Sequence, residues 1–226
     1  MNGLLGKKLG MSQYFAADGR MYAVTVVEAG PCVVTQVKTA ERDGYRAVQV
    51  GFGIAKKLSN AEKGHLGFGG LKRTRKRENA QGEAKSSPLG MLRHLKEFDL
   101  ADGESPTVGD VVTVQLFNQG QKVDIEGLSK GKGFAGGVRR HHFHGGPKTH
   151  GQSDRHRSPG SVGAGTTPGR VLKGLRMAGH LGHDQVTAKN LEVLHVEPER
   201  NLLFIKGSVP GPANGLVVVK SRPRDR

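Results

Sequence analysis

Between Gly127 and His180 the chain runs for 54 residues in which no hydrophobic period of 2 or 3.6 survives beyond a few positions. Fourteen of these residues are Gly and only twelve are apolar, so the segment cannot offset the entropy of its own ordering by burial. It must be an excursion from a core built elsewhere. It is also strongly basic, with ten Lys and Arg against the single acid Asp154, a net charge of +9. A second stretch, Lys56 to Arg77, carries eight basic residues against Glu62, or +7. The whole chain of 226 residues has a formal charge of +15, so the remaining 150 residues sum to −1. Two segments hold all of the excess.

The near-neutral remainder reads as strands. Tyr22 to Glu28, Cys32 to Lys38, Tyr45 to Gly51, Asp110 to Leu116, Lys122 to Glu126, Leu191 to Glu197, Asn201 to Lys206 and Gly215 to Lys220 are short, rich in β-branched residues and mostly alternating. Turn formers separate them at Gly30-Pro31, Asp43-Gly44, Asp102-Gly103, Pro198 to Asn201 and Pro210 to Pro212. Short strands at this spacing, with no long helical period between them, predict a mainly β fold built on a closed antiparallel β-barrel, since closure removes exposed edges. The expected organisation is barrel strands over 1–55, a basic insertion over 56–106 with a short helix at Met91 to Phe98, further barrel strands over 107–126, a basic Gly/His-rich extension over 127–180, and barrel strands with a basic tail over 181–226.

The extension has an internal pattern. Its two ends are basic, whereas Ser158 to Gly169 carries no charge and almost only small side chains. This predicts two basic arms and a small neutral tip at Ser161, Val162, Gly163, Ala164, Gly165, Thr166, Thr167 and Pro168, able to enter a crowded place. Lys and Arg on a Gly-rich backbone bring donors close to phosphate, because Gly has no Cβ to hold the backbone away. The expected polyanion contacts are Lys72, Arg73, Arg75, Lys76 and Arg77 in the insertion. In the extension they are Lys130, Lys132, Arg139, Arg140, Lys148, Arg155, Arg157, Arg170, Lys173 and Arg176, joined by His141, His142, His144, His150 and His156. Only Phe134 and Phe143 supply aromatic rings there, which favours recognition of backbone and shape in folded nucleic acid over base stacking.

Other chemistries fit less well. The five histidines invite a metal-dependent nuclease, but they lack a helical i, i+4 pair and Asp154 is their only nearby carboxylate. The run from Gly127 to Gly133 is one residue short of a phosphate-binding loop and has Gly133 where a Ser or Thr would hold magnesium. Ser153, Asp154 and His156 have no nucleophile elbow around them. The expectation is therefore no enzyme, no cofactor, no metal and no small-molecule substrate. A lone Cys32 excludes a disulfide framework and points to a reducing compartment. Apolar stretches fall far below the roughly 18 residues of a membrane span, and residues 1–11 show neither a signal-peptide core nor a transit-peptide pattern, so no membrane partner and a cytoplasmic location are expected.

Phe117, Asp124, Gly127, Ser129 and the run Gly131 to Arg140 resemble, spacing for spacing, the motif of the universal large-subunit ribosomal protein three, the L-three family, in its bacterial form. Gly6 to Met11, His150-Gly151, His156 to Ser161, Thr167 to Val171, Lys173-Gly174, Met177 to Gly179, Glu199 to Leu203 and Lys206 to Gly211 extend the likeness nearly end to end. The resemblance implies a barrel of the type shared with translation factors and a structural place in the large ribosomal subunit. It implies binding to the large-subunit (23S) rRNA, a part in early subunit assembly, and an extension whose tip buttresses RNA near the peptidyl transferase centre. It further implies neighbouring proteins of that subunit as partners, the fourteenth and nineteenth among them. Some relatives bear a methylated glutamine at the tip; Ser161 to Thr167 contains none, so that modification is not expected here. The His141 to His144 cluster also departs from the family pattern. An RNA chaperone or nucleoid-type protein using the same basic arms is the alternative reading, with a His-dependent metal nuclease more remote.

Overall fold

The computed structural model describes residues 1–67, 90–100 and 103–221. In chain order the elements are β1 (Gly3–Phe15), β2 (Met21–Ala29), β3 (Cys32–Lys38), α1 (Ala40–Asp43), β4 (Ala47–Ile54), α2 (Asn60–His65), β5 (Leu92–Asp99), β6 (Val111–Val112), β7 (Lys122–Leu128), β8 (Phe134–Ala135), α3 (Gly137–His141), β9 (Gly179–His180), β10 (Gln185–Glu197), β11 (Leu202–Lys206) and β12 (Leu216–Ser221). They form two compact units, one comprising Met1–Leu128 with Val186–Arg226 and the other Ser129–Gln185.

The first unit contains the expected closed antiparallel barrel, in the order β1, β12, β7, β10, β11, β2. In β7 the alternation is strict: Val123, Ile125 and Gly127 are buried while the residues between them are only partly so. Leu4, Leu5, Val27, Ile125, Val193, Leu203, Ile205, Val217 and Val219 fill the interior. Three consecutive buried valines, Val217 to Val219, show that β12 is covered on both faces.

Three of the expected barrel strands lie elsewhere. Cys32–Lys38 and Ala47–Ile54 join β5 and β6 in a separate four-stranded sheet, ordered β5, β4, β3, β6. The reason is that β1 and β11 already occupy both edges of β2, so β3, leaving β2, finds its partner in the next strand, β4. The stretch Asp110 to Leu116 is a strand for only two residues and then a 3-10 turn, Val114–Leu116, which turns Val114 and Phe117 into the core. Sheet and barrel share this core, through Cys32, Val34, Val48, Val50 and Phe98.

One further expectation is corrected. Met91 to Phe98 does not form a helix; Leu92–Asp99 is an antiparallel strand against β4, with Val48 opposite Phe98 and Ile54 opposite Leu92. Its apolar spacing fits a helix, but β4 offers an unpaired edge and Leu92 and Phe98 are buried by it. Among the described residues of this region the short helix is α2. Its start is a capping box: the Glu62 N–H donates to Ser59 Oγ at 3.3 Å and the Ser59 N–H donates to Glu62 Oε2 at 2.7 Å. The barrel strand absent from the sequence reading is β1, masked there by its glycines and lysines. Its Gly6 is required by close approach, since a Cβ would lie 2.7 Å from the Glu28 carbonyl oxygen on β2.

The second unit has almost no core: within 129–185 only Ala135 and Gly182 are buried. β8 and β9 form its two-stranded ribbon, α3 adds one short turn of helix, and the rest is turns and loops.

Candidate nucleic-acid interface

The arms of Ser129–Gln185 are joined at their roots by backbone pairing. Ser129 N–H donates to Asp184 O (2.8 Å), Lys132 N–H to Leu181 O (2.8 Å) and Leu181 N–H to Gly133 O (2.9 Å). Phe134 and Ala135 then pair with His180 and Gly179. These bonds engage amides that a phosphate-cradling loop would need free, so the Gly127 to Gly133 run is not such a loop. Gly127 and Leu128 are the end of β7.

Among the described residues, most of the expected contact residues are exposed. Lys130, Lys132, Arg139, Lys148, Arg155, Arg157, Arg170, Lys173 and Arg176 are exposed, as are His142, His144, His150 and His156, while Arg140 and His141 are half-buried. Among the described residues the ion pairs are all made outside this unit. The unit therefore presents a dense set of cations that its own carboxylates do not neutralise. Lys72, Arg73, Arg75, Lys76 and Arg77 lie outside the described residues.

Three of the side chains assigned to RNA contact are bonded to carbonyl oxygens of their own chain. Arg140 Nη1 donates to the Met177 carbonyl at 2.8 Å, and the ring of His141 donates through Nε2 to the same oxygen at 3.0 Å. His156 donates through Nδ1 to Pro147 O at 3.0 Å, and its own carbonyl accepts from the Gly146 N–H. Linear spacing gives no sign of these contacts, because Arg140 and Met177 are 37 residues apart.

The five histidines do not gather: among the described residues no group of three His, Cys, Asp or Glu side chains is placed to hold a metal ion. Nor do Ser153, Asp154 and His156 form a relay, since Ser153 Oγ donates directly to Asp154 Oδ1 (3.1 Å) and His156 is turned to Pro147.

Residues 161–178 are exposed throughout. Ser161 Oγ donates to Gly163 O at 3.0 Å, bending the backbone at the tip, and Gly160 to Gly165 with Gly169, Arg170 and Val171 line a concavity of about 600 Å³. Arg170 is the one charged side chain in that lining. Phe134, Val162, Val171, Leu172 and Met177 are also exposed, more apolar surface than a free loop needs. Charge patterning does not single out Leu172 or Met177.

Comparison with known proteins addresses the identity of this arrangement. The family model described as ribosomal protein L3 matches residues 89–203. A large ribosomal subunit protein uL3 from Herpetosiphon aurantiacus is 51% identical, with the alignment covering 97% of this chain and 95% of that protein. The uL3 proteins of Dehalococcoides mccartyi strain 195 and of a Roseiflexus species are 50% and 53% identical, over 97% of this chain and 98% and 97% of theirs. A match to the family model over half the chain, together with half-identical relatives aligned almost end to end, means that this chain belongs to the ribosomal protein L3 family, a family of ribosomal proteins and not of enzymes.

Proposed function

We propose that the protein is a structural, RNA-binding constituent of the large ribosomal subunit in the bacterial cytoplasm. In this reading Ser129–Gln185 engages the large-subunit (23S) rRNA, early enough to support subunit assembly, with Ser161 to Pro168 buttressing RNA near the peptidyl transferase centre. The observation that carries it is the pairing of outward, un-neutralised cations with a backbone that has no core of its own. Such a segment gains most of its ordering free energy from a polyanionic partner, and each phosphate it neutralises releases counterions. The names of the relatives, large ribosomal subunit proteins, point to rRNA as that polyanion. The neighbouring fourteenth and nineteenth proteins of the subunit are assigned as protein partners on the family resemblance, and Lys72 to Arg77 as a second rRNA contact on sequence alone.

The test is binding of the full chain to a 23S rRNA domain as a function of KCl, against the triple variant Arg170→Gln, Lys173→Gln, Arg176→Gln. The log–log slope should shrink by about 0.9 for each phosphate contact removed. An unchanged slope would remove these residues from the interface. Equal affinity for rRNA and for an unrelated duplex of the same length would favour the chaperone reading, in which the arms have no fixed site.

A further inference from the structure

Arg140 lies in the last turn of the short helix α3, and its guanidinium crosses to the returning arm, where the Met177 carbonyl accepts from Nη1 at 2.8 Å. His141 donates to the same oxygen at 3.0 Å, so both lone pairs of one carbonyl are used. The surroundings are shaped to hold this arrangement. A Cβ on Gly179, two residues after Met177, would stand 2.6 Å from Arg140 Nη1, so a side chain there would displace the guanidinium from its place against the returning backbone. The Phe143 ring packs on Gly137 at the start of α3, where a Cβ would come within 2.9 Å of it, and sits 5.8 Å from the His141 ring.

We propose that Arg140 and His141 are positioning residues that clasp the outgoing arm to Met177 on the returning arm, so that the loop between them meets RNA with its path already set. This rests on the RNA-binding reading of Ser129–Gln185 and separates Arg140 from the neighbouring cations, whose side chains face outward. A bare excursion of this length would have to be ordered entirely by RNA at the moment of binding. With the clasp and the β8–β9 ribbon, part of that ordering cost is met within the chain, and affinity rises without any new phosphate contact. The cation count and the positioning role are thus separable, because only the former enters the salt dependence.

Hydrogen exchange of the free full-length chain reads the clasp without RNA. The Lys132 and Leu181 amides, which bridge the arms, should be protected in the wild type. In the double variant Arg140→Met, His141→Ala, which loses both hydrogen bonds to the Met177 carbonyl, they should exchange at least about tenfold faster. His141→Gln, which restores a neutral donor at the reach of Nε2, should recover part of the protection that His141→Ala loses. Against a 23S rRNA domain the double variant should bind about tenfold more weakly with an unchanged salt slope. Lys173→Met, the comparison, should leave exchange unchanged and lower the slope by about 0.9. Unprotected amides in the wild type, equal exchange in the double variant, or a slope lowered by a full charge on losing Arg140 would each overturn the proposal. Failure of Lys173→Met to change the slope would instead count against the RNA-binding reading.

Discussion

At the level of single residues, burial decides chemistry that composition leaves open. Cys32 is fully buried, burial pushes its thiol up to about 11, and its Sγ donates to Leu5 O at 3.4 Å. The thiol is therefore a packing group, and a thiol reagent should label it only as the chain unfolds; labelling at the rate of an exposed cysteine would contradict the fold. Glu126 shows competing effects. Burial raises its carboxyl, but the Lys220 hydrogen bond and charge and the Lys96 charge outweigh that, so the net direction is downward. A carboxyl lowered on folding contributes stability above its unfolded value, and that contribution is lost as pH falls through the folded one. Both lysines are more than a third exposed, so solvent screening holds the pair to about 1 kcal/mol. Glu126→Gln should lower stability to urea by that amount at pH 7, and the gap between variant and wild type should close as pH falls below the ordinary Glu range.

Elements were legible where local pattern and tertiary role agree. Cys32 to Lys38 has the bounds its alternation predicts, and most of the barrel strands start and end within a few residues of the apolar runs that mark them. The failures share a cause: partners distant in sequence. Leu92, Leu95 and Phe98 are spaced for a helix, yet strand pairing with β4 buries Leu92 and Phe98 and leaves Leu95 at 36% exposure. Phe98→Ala should cost about 3 to 5 kcal/mol and Leu95→Ala under about 1 kcal/mol in chemical denaturation. A helix would bury all three alike, and similar losses would contradict the strand. β1 was hidden because glycines and lysines give it low strand propensity, while its pairing with both β12 and β2 supplies the order that propensity does not. Gly6→Val should destabilise by about 1 to 3 kcal/mol, because its side chain would enter the Glu28 backbone on β2.

For the molecule as a whole, the two units divide hydrophobic and charged roles. The first holds the core cluster from Leu4 to Val219, whereas the second buries little beyond Ala135. Removing Ser129–Gln185 and joining Leu128 to Val186 through a short flexible linker should leave a cooperative urea transition, while affinity for 23S rRNA and its salt slope both drop markedly. A slope like that of the full chain would move the binding to the first unit.

The sequence by itself determined the mainly β class, the partition of charge into two segments, the uncharged stretch Ser158 to Gly169 and, through its motifs, the family. Each of these rests on composition or on residues close together in the chain. Only the tertiary structure decided which strands close the barrel and which form the second sheet, that Leu92–Asp99 is extended, and that Arg140, His141 and His156 bind carbonyl oxygens of their own chain. These depend on which edges and acceptors remain free once distant segments have packed, and a linear pattern does not carry that information.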